Sequence, residues 1–152
     1  MNYPARGFSA EVVKLNEILE RDLSEIRKGE TLGRQIDMLQ VLDGLFEECS
    51  TLGWDGYDAQ PLSREAYLEA KKLIMSLPIV SFIPMPEIVP EPSGEIAFEW
   101  SKGKRRTFIA SVGDSDEIVY AGLFGLNKTH GTEYFGDSLP AVITENLRRL
   151  YL

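Results

Sequence analysis

With a single cysteine, Cys49, and a single histidine, His130, the chain is poor in the residues from which most recognisable catalytic and metal centres are assembled. One cysteine excludes an internal disulfide, and sites built from several thiolates or imidazoles go with it. Cys49 falls on the apolar stripe of a helical pattern, where it reads as a small buried hydrophobe rather than a nucleophile. No apolar run approaches the length that spans a bilayer, so no membrane partner is expected. Met1-Asn2-Tyr3-Pro4-Ala5-Arg6 lacks the apolar centre of a secretion signal, and the expected location is the cytoplasm. Internal repeats, low-complexity tracts and glycine-rich phosphate loops are missing, and no cofactor is implied.

Positive charge is also scarce. Sixteen Lys and Arg stand against 24 Asp and Glu, and the net charge of −8 argues against broad affinity for nucleic acid. Such an acidic balance suits a solvated surface, or a protein partner with a basic face. A length of 152 residues suffices for one domain with its own core. The expected fold class is α+β: a helical hairpin, a third helix, an antiparallel meander of three to four strands, and a C-terminal helix.

Residues 1–77 read as mainly helical. Val12, Leu15, Leu19, Leu23 and Ile26 recur at three- and four-residue spacing, with Ser9 as N-cap and Phe8 placed to staple onto Val13. Lys28-Gly29 reads as the end of that helix. Ile36, Leu39, Leu42, Leu45, Phe46 and Cys49 form a second stripe, so the short Gly29–Gly33 link predicts an antiparallel αα-hairpin. Gly44 inside the second stripe marks a close helix crossing or a weak point. The stripes also admit pairing with another subunit, which makes a homo-oligomer an open alternative. A third helix is expected from Ser63, its N-cap, to Leu77, where Pro78 stops it.

Between the second and third helical patterns lies Leu52-Gly53-Trp54-Asp55-Gly56-Tyr57-Asp58-Ala59-Gln60-Pro61-Leu62-Ser63. Two large aromatics among glycines suit a tight, irregular path pinned by rings that point inward. Asp55 is placed to form an Asx-turn, and Gly56 to take a positive φ. Residues 78–92 hold five prolines around Ile79-Val80-Ser81-Phe82-Ile83. They read as an extended connector with at most an edge strand near Glu87 to Val89, since proline donates no ladder hydrogen bond.

Residues 93–136 carry the strands. Ile96, Phe98 and Trp100 alternate with Glu95, Ala97 and Glu99; Phe108, Ala110 and Val112 continue after a turn; Ile118 to Phe124 follows. A short strand is expected around Thr132 to Phe135. Residues 138–152 read as the last helix, with Ser138 as cap, Pro140 in its first turn and Arg148 and Arg149 at its C-terminal end.

The string Gly53-Trp54-Asp55-Gly56-Tyr57-x-Ala59-x-Pro61-x-Ser63, the helix closed by Leu77-Pro78, and Gly94-Glu95-Ile96-x-Phe98-Glu99-Trp100 together resemble a group of small, uncharacterised bacterial and mobile-element proteins. The likeness covers the middle third of the chain. Asp58 stands where that pattern carries glycine. The resemblance implies a shared fold and no known activity.

Two functions from different classes follow. The leading one is a non-enzymatic protein-interaction module, in a defence, counter-defence or toxin–antitoxin setting by analogy with the mobile-element resemblance. Its candidate binding residues are Trp54, Asp55 and Tyr57 at the aromatic joint, and Lys102, Lys104, Arg105 and Arg106 at a hairpin tip, the one basic cluster in the chain. The alternative is a small metal-dependent hydrolase or nuclease using Glu95, Glu99 and His130. Glu95 and Glu99 are also expected opposite Arg105 and Arg106 across the hairpin, an ordinary arrangement of surface ion pairs.

Overall fold

The computed structural model describes residues 10–78 and 82–152. The expected Ser9 cap and Phe8 staple lie outside them. The chain divides into two compact units, the first ending at Arg34 and the second running Gln35–Leu152.

In place of the expected hairpin there is one helix, α1 (Ala10–Glu48), continuous through the Gly29–Gly33 segment. The reason is local. A helix-ending glycine adopts a left-handed conformation, and neither Gly29 nor Gly33 has the positive φ this requires. Each costs the helix about 1 kcal/mol relative to alanine without interrupting its hydrogen bonds, and no proline enforces a stop. In the first unit the stripe Val12, Leu15, Leu19, Leu23 and Ile26 is solvent-exposed.

In the second unit the last turns of α1 place Met38 and Leu42 in the core, with Cys49 just after the helix beside them and Leu39, Leu45 and Phe46 packed against it. Gly44 is not a close crossing, because a Cβ there would have no neighbour within 4 Å. α2 (Arg64–Ser76) begins at Ser63, whose Oγ accepts from the Ala66 amide at 3.0 Å, and it buries Ala66, Ala70, Leu73 and Ile74. The Phe46 and Tyr67 rings lie 4.8 Å apart, and the Tyr67 hydroxyl donates to Asp43 Oδ1. That hydrogen bond, with burial second, pushes the Tyr67 phenol above its ordinary pKa.

The sheet has five strands rather than three or four: β1 (Glu87–Pro90), β2 (Ile96–Ser101), β3 (Arg106–Val112), β4 (Glu117–Phe124) and β5 (Asn127–Tyr134). Their order is sequential and every pair is antiparallel. β1 is the expected edge strand, and its Pro90 sits where an absent amide does least harm. β5 is longer than the expected Thr132–Phe135 segment, because Asn127 to Gly131 also pairs, with Phe124 to Tyr120 of β4, despite a polar composition that carries little strand signal.

Alternation sorts the strands into two faces. Ile88, Ile96, Phe98, Trp100, Phe108, Ala110, Val112, Ile118 and Tyr120 form a buried face. α2 packs on it over β2 and β3, and α3 (Ala141–Tyr151) over β3 and β4. The Trp100 indole, almost fully buried, donates Nε1–H to the Pro84 carbonyl at 3.1 Å. α3 begins later than expected: Pro140 is its N-cap, and Ser138 lies outside it. A residue before proline is pushed out of helical conformation, so Leu139 cannot join the helix.

Candidate functional site

The aromatic joint is a fastening. Asp55 Oδ1 accepts from the amides of Tyr57 at 2.8 Å and Ala59 at 3.2 Å, the expected Asx-turn with one further bond. Gly56 has φ +84°, and Gly53 has φ +72° with the Tyr57 carbonyl 2.9 Å from where a Cβ would stand, so a side chain at Gly53 is excluded twice over. Trp54 is partly buried against the core and donates Nε1–H to the Gln60 carbonyl at 2.7 Å. The Gln60 amide bonds to the Pro92 carbonyl and the Leu62 amide to the Cys49 carbonyl, which ties the joint to the β1–β2 turn and to the end of α1. The inward reading holds for Trp54 and fails for Tyr57, which is 84% exposed. A chain committed to the Asx-turn directs that ring outward, and nothing in the sequence distinguishes the two aromatics.

The basic cluster separates into two roles. Arg106 donates through one guanidinium nitrogen to the carbonyls of Arg149 at 2.9 Å and Leu150 at 2.8 Å, while Lys102 reaches the Tyr151 carbonyl at 3.2 Å. Both cations thereby satisfy the negative end of the α3 dipole. Lys104 and Arg105 remain exposed at the tip, where Arg105 takes φ 56°. The expected cross-hairpin pairs do not form: Glu99 is opposite Ile109 and Ser101 opposite Thr107, so the turn occupies Lys102 to Arg105 and no arginine faces either carboxylate.

Glu95, Glu99 and His130 do not converge. One cross-strand row of the open face reads Glu87, Glu99, Ile109, Ala121, His130, which puts His130 three strands, about 14 Å, from Glu99. Glu95 is four residues along the strand direction from Glu99, about 13 Å. Among the described residues, no group of three or more His, Cys, Asp and Glu gathers as a metal cage. Glu95 instead lies by Glu91, whose carboxyl is pushed above the ordinary range by burial first and by the Glu95 carboxylate second. Ser111 Oγ approaches Glu91 Oε1 at 3.5 Å. The Cys49 thiol is likewise pushed up, by burial and then by Glu48, as an inert core thiol should be.

What sequence reasoning missed is the centre of that open face. Neighbouring rows bring Thr107, Leu123 and Lys128 together on one side, and Ala97, Ser111, Val119 and Thr132 on the other. Thr107, Ile109, Ala121, Leu123, Lys128 and His130 line a depression of about 310 Å³ with an almost wholly apolar surface. An apolar strip thus runs between the carboxylates of Glu87 and Glu99 and the cationic side marked by Lys128. Val119, on the same face, is 49% exposed. The signal was present: Ile109, Val119, Ala121 and Leu123 occupy positions where a one-sided sheet alternates to polar residues, and apolar residues of both parities indicate a sheet that is apolar on two faces.

Among the described residues, no helix is long and apolar enough to cross a membrane. No family model, curated protein or solved structure matches the chain.

Proposed function

We propose that the chain is a protein-interaction module that receives its partner on the open face of the sheet. The observation that carries this reading is the uncovered apolar strip through Ile109, Ala121 and Leu123, with carboxylates along one side and Lys128 along the other. Strands that keep aliphatic side chains toward water do so at a cost in solubility that docking of a partner removes. The flanking charges define the partner's chemistry: an apolar ridge with carboxylates to meet Lys128 and basic residues to meet Glu87 and Glu99. Phage-defence, counter-defence and toxin–antitoxin proteins are the first candidates, by the mobile-element resemblance.

Capture of interacting proteins by the full chain, with Ala121→Glu and Leu123→Glu compared with wild type, tests this. Both residues lie off the buried face, so near-native circular dichroism is expected. A protein retained by wild type and by Lys104→Glu/Arg105→Glu, and lost from both strip variants, is the expected result. Retention of every captured protein by the folded strip variants rejects the open face as the docking surface.

A further inference from the structure

The first unit holds an apolar face of a different kind. Val12, Leu15, Leu19, Leu23 and Ile26 line one side of α1, and each is between 40% and 58% exposed. Helices draw most of their stability from packing an amphipathic face, and Gly29 and Gly33 weaken this one further. The hairpin expected to cover the stripe does not form, and no element of the first unit lies over it.

The spacing names the occupant. From Val12 to Ile26 the steps are three, four, four and three residues, a series that reads the same in both directions about Leu19. Two copies of the segment laid antiparallel across a two-fold axis at Leu19 therefore bring apolar onto apolar at every level: Val12 onto the second copy's Ile26, Leu15 onto its Leu23, Leu19 onto its own equivalent. A self-complementary patch of this type is what an isologous dimer requires. Antiparallel alignment also sets the two helix dipoles head to tail. Charge does not oppose it, because Ala10–Arg34 carries six carboxylates against five basic residues, nearly balanced within a chain of net charge −8. With the axis at Leu19, Ala10 to Lys28 overlaps the same segment of the second copy, about 28 Å of helix, and the whole stripe from Val12 to Ile26 falls inside that overlap.

We infer that α1 is a dimerisation helix whose partner is α1 of a second copy, antiparallel and centred on Leu19. The inference is independent of the docking surface on the sheet. Sedimentation velocity of the full chain at tens of micromolar should give twice the chain mass. Leu15→Glu and Leu19→Glu should each return it to the monomer mass, while Ala121→Glu leaves the dimer intact. Because the axis passes Leu19, Leu19→Cys should link into a covalent dimer under mild oxidation, whereas Lys14→Cys on the opposite side of the helix should not; wild type, with Cys49 buried, is the control. A monomeric wild type at 100 micromolar overturns the inference, as does a dimer that survives both glutamate substitutions. A dimer dissolved by Leu19→Glu in which Leu19→Cys fails to link overturns the two-fold axis at Leu19.

Discussion

The two faces of the one sheet are both rich in aliphatic residues and differ in what lies over them. On the buried face, Phe98, Phe108, Ala110 and Ile118 have no measurable exposure beneath α2 and α3. On the other face, Ile109, Ala121 and Leu123 line an open depression. Hydrophobicity along a strand therefore reports that a surface is to be covered, and not by which part of the chain or by which molecule. Covered apolar surface is where folding stability resides; uncovered apolar surface adds little to it.

The largest effect that would test this contrast is expected at the centre of the covered face. Phe98→Ala should cost about 3–5 kcal/mol, read from denaturant unfolding, because a fully buried ring leaves a cavity. A loss below about 1 kcal/mol would mean that this face is not the principal core. Next comes the fastening of the cover. Arg106→Gln removes two charge-assisted bonds to the α3 carbonyls and should cost about 1–2 kcal/mol, with hydrogen exchange increasing first in α3. Ile109→Ala on the open face should cost no more than about 1 kcal/mol, since its side chain is only partly buried. A cost equal to that of Phe98→Ala would show that the open face is covered in solution.

The smallest effect is at the acidic side of the open face. Glu91 has a raised carboxyl pKa, so the folded state holds its proton to higher pH than the unfolded chain does. Its contribution to stability therefore falls as pH rises through the interval between the ordinary carboxylate value and the raised one. Glu91→Gln should stabilise the protein at neutral pH, by less than about 1 kcal/mol given the exposure of the group, and the gain should shrink as pH falls through that interval. Thermal melts of both proteins from pH 4 to pH 7 would show it; a gain independent of pH would assign the effect to something other than the carboxyl.

The parts of this fold legible in the sequence are those governed by near neighbours. Ser63 caps α2 because its hydroxyl lies three residues from the amide it serves. The Asp55 turn, the alternation through Ile96, Phe98 and Trp100, and the proline-bearing edge at β1 follow equally from local geometry. Elsewhere, local signals misled. Gly29 and Gly33 resemble the link of a hairpin, yet a glycine permits a break without requiring one. Lys102 and Arg106 read as a free basic patch until the C-terminal end of α3 is brought beside them. Glu95, Glu99 and His130 looked combinable because a sequence does not show that two strands separate β2 from β5.

By itself, the sequence determined the α+β class, the Ser63 cap, the turn at the joint and the buried parity of β2 and β3, because all of these depend on spacings of two to four residues along the chain. Only the tertiary structure decided that α1 runs unbroken, that Tyr57 faces water while Trp54 is held, that two basic side chains serve a helix end, and that one apolar face of the sheet is left open. The last two rest on contacts between residues distant in sequence, or on their absence; the first two rest on local backbone choices, the φ of a glycine and the path of a turn, which the residues permit without dictating.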